Sequence, residues 1–356
     1  MRTSLIVDLN KFINNIATVK NKLNPKTKIL AVVKADAYGH GAVMISKIAE
    51  DEGVAYLGVA TIDEAIEIRE AGIKMPILIL TEPTDLERLK GVLYYDISLT
   101  VFSDSFLNEL QILTNELHKK VKVHLKVNTG MNRVGINVKD ALKMVNTILT
   151  NKNLELEGLF THLSDADNHD HSYTNNQLTV FNKLIENLEA EGIHIPIKHA
   201  ANSMATLNHP AAHFDMVRVG LVLYKDIMTF KAKLIHVHDV EKDAEIGYCR
   251  TYKTNNTMRI GVVSVGYADG YSRALSNKAS VLIKGQLCPV VGNVCMDMIM
   301  VSIPNNLRVK VGDEVTLIGS EGNKKITVND IAKLCNTIDY EVMCSIGKRV
   351  PRVYKR

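Results

Sequence analysis

Short apolar runs alternate with segments of helical periodicity over the first two thirds of the chain. Apolar residues recur at helical spacing in these segments, as at Phe106, Leu110, Leu113 and Leu117, which indicates amphipathic helices. Strands that alternate with helices are typical of a parallel sheet, and eight such units predict a (β/α)₈ barrel of the TIM type. The predicted strands are residues 29–33, 55–59, 77–80, 97–101, 123–127, 156–160, 195–198 and 216–219.

The pattern changes near residue 226. Helical periodicity fades, and β-type runs at residues 260–265, 280–283, 290–301 and 314–318 are separated by turn residues. We therefore expect a cofactor-binding barrel over residues 9–226 and a smaller, mainly-β domain over residues 227–356. The opening run, residues 2–8, precedes the first barrel strand and is expected to join the β domain.

Composition is typical of a globular enzyme and argues against two kinds of partner. The chain has 356 residues, 46% of them hydrophobic, and a net charge of only +4, which argues against nucleic acid as the main partner. The one basic cluster, at residues 348–356, is interpreted as a solvated tail. Five cysteines without a C-x-x-C pair favour a reducing cytosol, and no apolar run is long enough for a membrane helix. These features predict a soluble, cytoplasmic protein.

Polar side chains follow several predicted barrel strands at the point where each strand ends. The C-terminal ends of barrel strands share one mouth, where chemistry is normally done, so these side chains are expected to meet there. Each alone has an ordinary structural explanation, such as a helix cap or an ion pair, but together they supply the parts of one site. They are Lys34 after the first strand, Asn128 and Arg133 after the fifth, His162 after the sixth, Asn202 and Ser203 after the seventh, and Arg218 and Gly220 at the eighth.

This set of groups suits an aldehyde cofactor that carries a phosphate. A lysine such as Lys34, partly buried at a barrel mouth, can supply the neutral amine that forms a Schiff base with an aldehyde. Ser203, Gly220 and Leu221 follow the seventh and eighth strands, where such barrels commonly bind phosphate. Together these properties indicate pyridoxal phosphate, which acts as an electron sink for a carbanion at the α-carbon of an amino acid.

The same residues stand in sequence blocks that resemble the alanine racemase family over essentially the whole chain. The resemblance implies a pyridoxal-phosphate-dependent isomerase that interconverts L-alanine and D-alanine, active as a homodimer whose sites are shared between the subunits. The blocks are AVVKADAYGHG (31–41), LKVNTGMNRVG (125–135), THLSDAD (161–167), HAANS (199–203), MVRVGLVLY (216–224), GYCRTY (247–252), VGYADGYSRAL (265–275), VGNVCMD (291–297) and TIDYEV (337–342).

The resemblance also implies a role for each site residue. Lys34 would hold the cofactor and act as one acid–base group, and Tyr248 of the partner subunit would be the second base. Lys126 resembles a lysine that is often carbamylated in this family, where the new carboxylate would steady Arg133. The expected cofactor ligands are Lys34, Tyr38, Arg133, His162, Asn202, Ser203, Arg218, Gly220, Leu221 and Tyr340. The expected substrate-binding residues are Arg133, Tyr267, Met296 and Asp297.

Two bases on opposite faces of the cofactor match the chemistry of racemisation. A proton must leave one face of the α-carbon and return to the other, which fits Lys34 and Tyr248. Positive charge on Arg218, relayed through His162, would favour the phenolate of the tyrosine. An arginine that faces the pyridine nitrogen would leave it unprotonated, because a guanidinium does not give up its proton, and this would discourage transamination.

Three alternatives stay open. Asn293 stands where this family often has an entrance arginine, so a serine or broad-specificity racemase would fit the same residues. Barrel-type basic amino-acid decarboxylases share the layout but carry a glycine-rich phosphate loop and an acidic partner for the ring nitrogen, where this chain has Arg218. A non-catalytic carrier of pyridoxal phosphate would need neither Tyr248 nor the β domain.

Overall fold

The structure is a computed structural model that describes the backbone of residues 1–356 and every side chain except that of Leu86. The strands are β1 (Thr3–Asp8), β2 (Lys28–Val32), β3 (Tyr56–Val59), β4 (Ile77–Ile79), β5 (Ile97–Val101), β6 (Val121–Asn128), β7 (Ile136–Asn137), β8 (Leu154–Phe160), β9 (Ile197–His199), β10 (Met216–Val219), β11 (Met228–Val240), β12 (Glu245–Ile246), β13 (Tyr252–Lys253), β14 (Met258–Val263), β15 (Ser280–Ile283), β16 (Gln286–Pro289), β17 (Ile299–Ile303), β18 (Glu314–Glu321), β19 (Lys324–Ile326) and β20 (Arg352–Lys355). The helices are α1 (Leu9–Lys20), α2 (Lys34–Gly39), α3 (Ala42–Asp51), α4 (Ile62–Glu70), α5 (Leu86–Val92), α6 (Asp104–Leu117), α7 (Val138–Leu149), α8 (Ser172–Ala190), α9 (Ser203–Asn208), α10 (Val328–Cys335) and α11 (Asp339–Ser345).

The predicted barrel is confirmed. Eight parallel strands are hydrogen-bonded in the order β10-β2-β3-β4-β5-β6-β8-β9. The Arg218 N–H donates to the Ala201 oxygen at 2.9 Å, so the two end strands also approach each other and the barrel is nearly closed. The seventh strand begins at Ile197, two residues later than expected, because Pro196 has no N–H to donate to a ladder.

A second compact unit consists of residues 1–12, 38–41 and 224–356. It is mainly β, as predicted, and its central sheet has the order β16-β15-β18-β11-β1-β20. The N-terminal strand β1 lies inside this sheet, antiparallel to β11 and parallel to β20. Helix α10, which was not predicted, begins with a capping box in which Thr327 and Asp330 bond each other's backbone N–H groups.

Two expectations for this unit are wrong. Residues 291–298 are irregular and only Ile299–Ile303 forms the expected strand, because Gly292 has a φ of +77° and breaks the run. The basic C-terminus is not a solvated tail: β20 pairs with β1, and the Arg352 side chain donates to the backbone oxygens of Gly39, Ile346, Gly347 and Val350.

Two further features concern the helices and the cysteines. None of the helices in the described part of the chain has both the length and the apolar character needed to cross a membrane. In the described part of the chain none of the five cysteines forms a disulfide; Cys249 and Cys344 are exposed and Cys288 is buried.

Candidate active site

Lys34 opens a left-handed turn directly after β2. Residues 35–38 have φ angles of 52°, 53°, 51° and 54°, so α2 winds in the left-handed sense although none of these four residues is glycine. A left-handed conformation costs about 1–2 kcal/mol for each L-residue, and such strain persists only where the surrounding structure holds it. Such strain is concentrated at functional sites, so the segment that carries Lys34 is a candidate for one.

Two carboxylates hold this turn. Glu64 of α4 accepts a hydrogen bond from the Ala35 N–H at 2.6 Å, and its other oxygen accepts from the Ala60 N–H at 2.7 Å. Asp36 accepts from the Ala42 N–H at 2.7 Å, which ties the turn to the first residue of α3. The Ala35 N–H of the turn and the Ala42 N–H that opens α3 are thus both bonded to charged acceptors.

Arg218 is buried at the C-terminal end of β10, with 4% of its surface exposed. Its guanidinium donates to the Thr161 oxygen at 2.7 Å, the Ala200 oxygen at 2.9 Å, His199 Nδ1 at 3.0 Å and His162 Nδ1 at 3.3 Å. Burial lowers the pKa of Arg218 to about 9, which leaves the group protonated at neutral pH. In the described part of the chain, none of these partners is a carboxylate.

The barrel mouth is strongly cationic. Burial and then the charges of Arg218, Arg133, Lys126 and Lys34 lower the pKa of His162 to about 2, so its imidazole is neutral. Because all these interactions act on one ring, the structure brings five of the predicted site residues together. A site of this charge favours an anionic ligand.

Lys126 lies inside the barrel beneath this cluster. Burial, followed by the charges of Arg218, Arg133 and Lys34, lowers the pKa of Lys126 to about 7. Its Nζ is 3.4 Å from the Leu80 oxygen. A large share of this amine is therefore neutral and nucleophilic at physiological pH.

Ser203 lies between the ends of two strands. Its Oγ accepts a hydrogen bond from the Gly220 N–H at 2.9 Å, beside the turn that begins at Leu221. Asn202 rather than Ser203 caps α9, because its side chain accepts from the Ala205 N–H at 3.0 Å. The serine hydroxyl and the N–H groups after β10 are suited to bind a phosphate.

The second unit carries the remaining predicted residues. The ring centroid of Tyr38 is 4.7 Å from that of Tyr224 and 5.7 Å from that of Tyr340, and burial raises the pKa of Tyr38 well above its usual range. In contrast, Tyr248 is 71% exposed and Met296 is 53% exposed within their own chain. Tyr38 and Tyr340 are therefore packed against other rings of the unit, while Tyr248 and Met296 lie on its surface.

Two family models cover nearly all of the chain: "Alanine racemase, N-terminal domain" matches residues 7–227 and "Alanine racemase, C-terminal domain" matches residues 227–354. The chain is 41% identical to the alanine racemase of Methanococcus maripaludis, over 98% of this chain and 97% of that protein. It is similar to the solved alanine racemase of Clostridium difficile 630, with a TM-score of 0.95, 38% identity, and coverage of 100% of this chain and 96% of that one. A Bacillus anthracis alanine racemase structure with bound L-Ala-P is also similar, with a TM-score of 0.94, 34% identity, and coverage of 100% and 95%.

The chain belongs to the alanine racemase family. This membership confirms the resemblance found in the sequence blocks and makes the protein an isomerase. The roles that alanine racemase membership suggests for individual residues are taken up as proposals below.

Asp297, one of the predicted substrate-binding residues, takes part in an ion-pair network. Its carboxylate pairs with Arg349 of the C-terminal segment. Arg349 also pairs with the buried Asp269 at 2.7 Å, which binds Arg2 at 2.7 Å on its other oxygen. Asp297 is therefore held in an ion-pair network that fixes the loops of Tyr267 and Met296.

Sequence reasoning missed the polar residues inside the barrel. His124, Glu157 and His199 are almost completely buried and bonded to one another. A signal was present, because strand β6 carries Lys122, His124 and Lys126 at alternate positions and so turns all three to one face. Polar residues at period two within a buried strand indicate an interior network.

Proposed function

We propose that this protein is a pyridoxal-phosphate-dependent alanine racemase that uses Lys34 and Tyr248 as its two bases, with Tyr248 supplied by the second subunit of a homodimer. The observation that carries the proposal is Arg218, buried and bonded to no carboxylate among the described residues. An arginine at the place of the ring-nitrogen partner favours racemisation over decarboxylation and transamination, both of which benefit from an acidic partner there.

The residues present fit pyridoxal phosphate. The phosphate and phenolic oxygens of this cofactor are anionic, and the cluster of Lys34, Arg133 and Arg218 supplies matching positive charge. When bound, the cofactor supplies an electron sink for charge at the α-carbon of the amino acid. Lys34 would hold it covalently and Arg133 would face its phenolic oxygen. The proposed phosphate ligands are Tyr38, Ser203, Gly220, Leu221 and Tyr340, with Asn202 holding the Ser203 turn.

The two proton transfers are assigned to Lys34 Nζ on one face and Tyr248 Oη on the other. His162 is neutral, since burial and neighbouring cations lower its pKa to about 2, so it can pass the influence of Arg218 to the phenol through hydrogen bonds. The exposure of Tyr248, Tyr267 and Met296 supports a shared site, because these residues reach a substrate only if another surface covers them. Met296 would bind the substrate carboxylate through its backbone N–H.

Alanine is the proposed substrate because the named relatives are alanine racemases over their whole length. Asn293 is the observation that keeps a serine or broad-specificity racemase as the second candidate. Its side chain is a neutral amide, which donates to the Tyr248 backbone oxygen, so this entrance position carries no positive charge. The free thiols support a cytoplasmic location, since disulfides are uncommon in reducing compartments.

The test is a chiral assay of L-alanine incubated with the purified protein and pyridoxal phosphate in D₂O. We expect D-alanine with deuterium at the α-carbon, which shows proton abstraction and racemisation together. A yellow protein that leaves alanine unchanged would contradict the substrate assignment. The same assay with L-serine and L-lysine then identifies the substrate, and faster turnover of either would favour the broad-specificity alternative.

A further inference from the structure

A chain of four side chains crosses the barrel interior from Arg218 to Glu157. Arg218 Nη1 is 3.0 Å from His199 Nδ1, and His199 Nε2 is 2.9 Å from His124 Nδ1. His124 Nε2 is in turn 2.9 Å from Glu157 Oε2. Both histidines are fully buried, so water does not compete for these bonds. The chain connects the cationic mouth with a carboxylate deep in the barrel.

Only one arrangement of protons satisfies all three bonds. A guanidinium can only donate, so His199 Nδ1 must accept and the proton of this imidazole lies on Nε2. That N–H donates to His124 Nδ1, which leaves the His124 proton on Nε2 and directs it at Glu157 Oε2. Burial lowers the pKa of both histidines, in agreement with two neutral rings. Every donor therefore points away from Arg218 and toward the carboxylate.

Glu157 is ionised at the far end. Burial alone would raise its pKa, but hydrogen bonds from His124, Tyr56 and Ser98 outweigh burial and lower the pKa. Tyr56 Oη and Ser98 Oγ each lie 2.9 Å from its oxygens, and Lys122 Nζ lies 3.5 Å away. The two neutral imidazoles thus have a buried cation, Arg218, at one end and a buried anion, Glu157, at the other.

Packing holds the two rings in place. The Phe160 ring stacks on His199 at a centroid distance of 4.6 Å and an angle of 9°. A side-chain carbon at Gly158 would lie 2.1 Å from His124 Nδ1, so the space beside this glycine is occupied by the imidazole. Neither imidazole can rotate without displacing a neighbouring group. The hydrogen-bonded chain is therefore suited to pass a shift of the Glu157 carboxylate on to the Arg218 guanidinium.

We propose that Glu157 is a positioning residue that acts through His124 and His199 to balance the charge of Arg218 and fix the direction of its guanidinium. The proposal rests on the proposed function in one respect, namely that Arg218 faces the ring nitrogen of the cofactor. Arg218 then presents a fixed, protonated donor at the mouth, although the carboxylate that balances it touches neither cofactor nor substrate. The other titratable groups that face Arg218 and His162 are Lys34, Lys126 and Arg133, none of which has a carboxylate side chain, so Glu157 is the carboxylate side chain that these hydrogen bonds join to Arg218.

The experiment compares holoenzymes of Glu157→Gln and Tyr56→Phe with the wild type. Glu157→Gln keeps an acceptor for His124 but removes the charge, whereas Tyr56→Phe removes a bond to the same carboxylate and leaves the chain to Arg218 whole. The measurements are the visible absorption of the bound cofactor against pH, kcat and KM for racemisation, and thermal unfolding. We expect Glu157→Gln to alter the absorption and its pH dependence and to lower kcat about tenfold with little change in KM, an effect typical of outer hydrogen-bonding partners. Tyr56→Phe should leave the spectrum and kcat close to those of the wild type.

Equal loss of thermal stability in both variants, with unchanged spectrum and kcat, would overturn the proposal and leave Glu157 a purely structural group. If Glu157→Gln does not fold, His124→Gln breaks the same chain at its centre and must produce the spectral change. The spectrum does not depend on turnover, so a wild type that binds cofactor but racemises no amino acid would refute the proposed function alone.

Discussion

The side-chain amide of Asn293 donates a hydrogen bond of 2.8 Å to the backbone oxygen of Tyr248. Tyr248 begins a tight turn in which the next residue, Cys249, has a φ of 61°. Non-glycine residues at positive φ are strained, so this bond helps to hold a turn that would otherwise relax. The residue that departs from the usual entrance arginine therefore supports the proposed second base.

Replacing Asn293 by alanine should loosen the Tyr248 turn. Loss of one hydrogen bond costs about 1 kcal/mol, and we expect kcat to fall about fivefold because the phenol is less well placed. Steady-state kinetics in both directions would measure this. Asn305→Ala, at an exposed loop position, is the matched control, and an equal loss of kcat in that variant would argue against a specific role for Asn293.

Sharing of the site between subunits can be tested by mixing two inactive variants. Lys34→Ala and Tyr248→Phe should each lose activity by about 10²–10⁴-fold. Subunits exchanged by mild denaturation and refolding form heterodimers in which one site has both native residues. We expect a return to about one quarter of the wild-type rate in a statistical mixture.

If both bases came from one chain, the mixture would stay as inactive as either variant alone. Tyr248→Phe alone should keep its cofactor and its stability, because the Tyr248 side chain is mostly exposed within its own chain.

Lys126 should bind carbon dioxide as a carbamate. Its pKa falls from 10.5 to about 7, so near neutral pH a substantial fraction is the neutral amine that reacts with carbon dioxide. Carbamate formation also releases a proton, and both effects make carbamylation decrease as the pH falls below about 7. Carbon-13 NMR with labelled bicarbonate would detect a carbamate signal that is absent in Lys126→Met. A signal that grows toward low pH would contradict this assignment.

The left-handed turn after Lys34 should depend on Glu64. In Glu64→Ala the Ala35 N–H loses its charged acceptor, which we expect to lower the free energy of unfolding by about 2 kcal/mol. Cofactor content per subunit, read from absorption, should fall as well, because the turn carries Lys34. Glu67→Ala, at an exposed position on the same helix, is the control and should leave both quantities unchanged.

The barrel and the position of Lys34 at its mouth were predictable because their signals are local. Parallel strands buried on both faces form continuous apolar runs, so all eight could be found without knowing their neighbours. Lys34 followed the first of these runs directly, and Ser203 and Arg218 came from strand ends that any barrel brings to one mouth. Hydrophobic periodicity and strand-end position were sufficient for these inferences.

Which side chains and strands bond to one another inside the fold was decided by tertiary structure. Glu157 lies 33 residues from His124, and His199 lies 75 residues from it, so their chain of bonds depends on the register of separate strands. The basic C-terminus forms a strand rather than a solvated tail because β1, at the other end of the sequence, offers it an edge. Apolar burial is a property of each segment by itself, whereas a hydrogen bond or ion pair needs two groups that only the folded chain brings within 3 Å or so of each other.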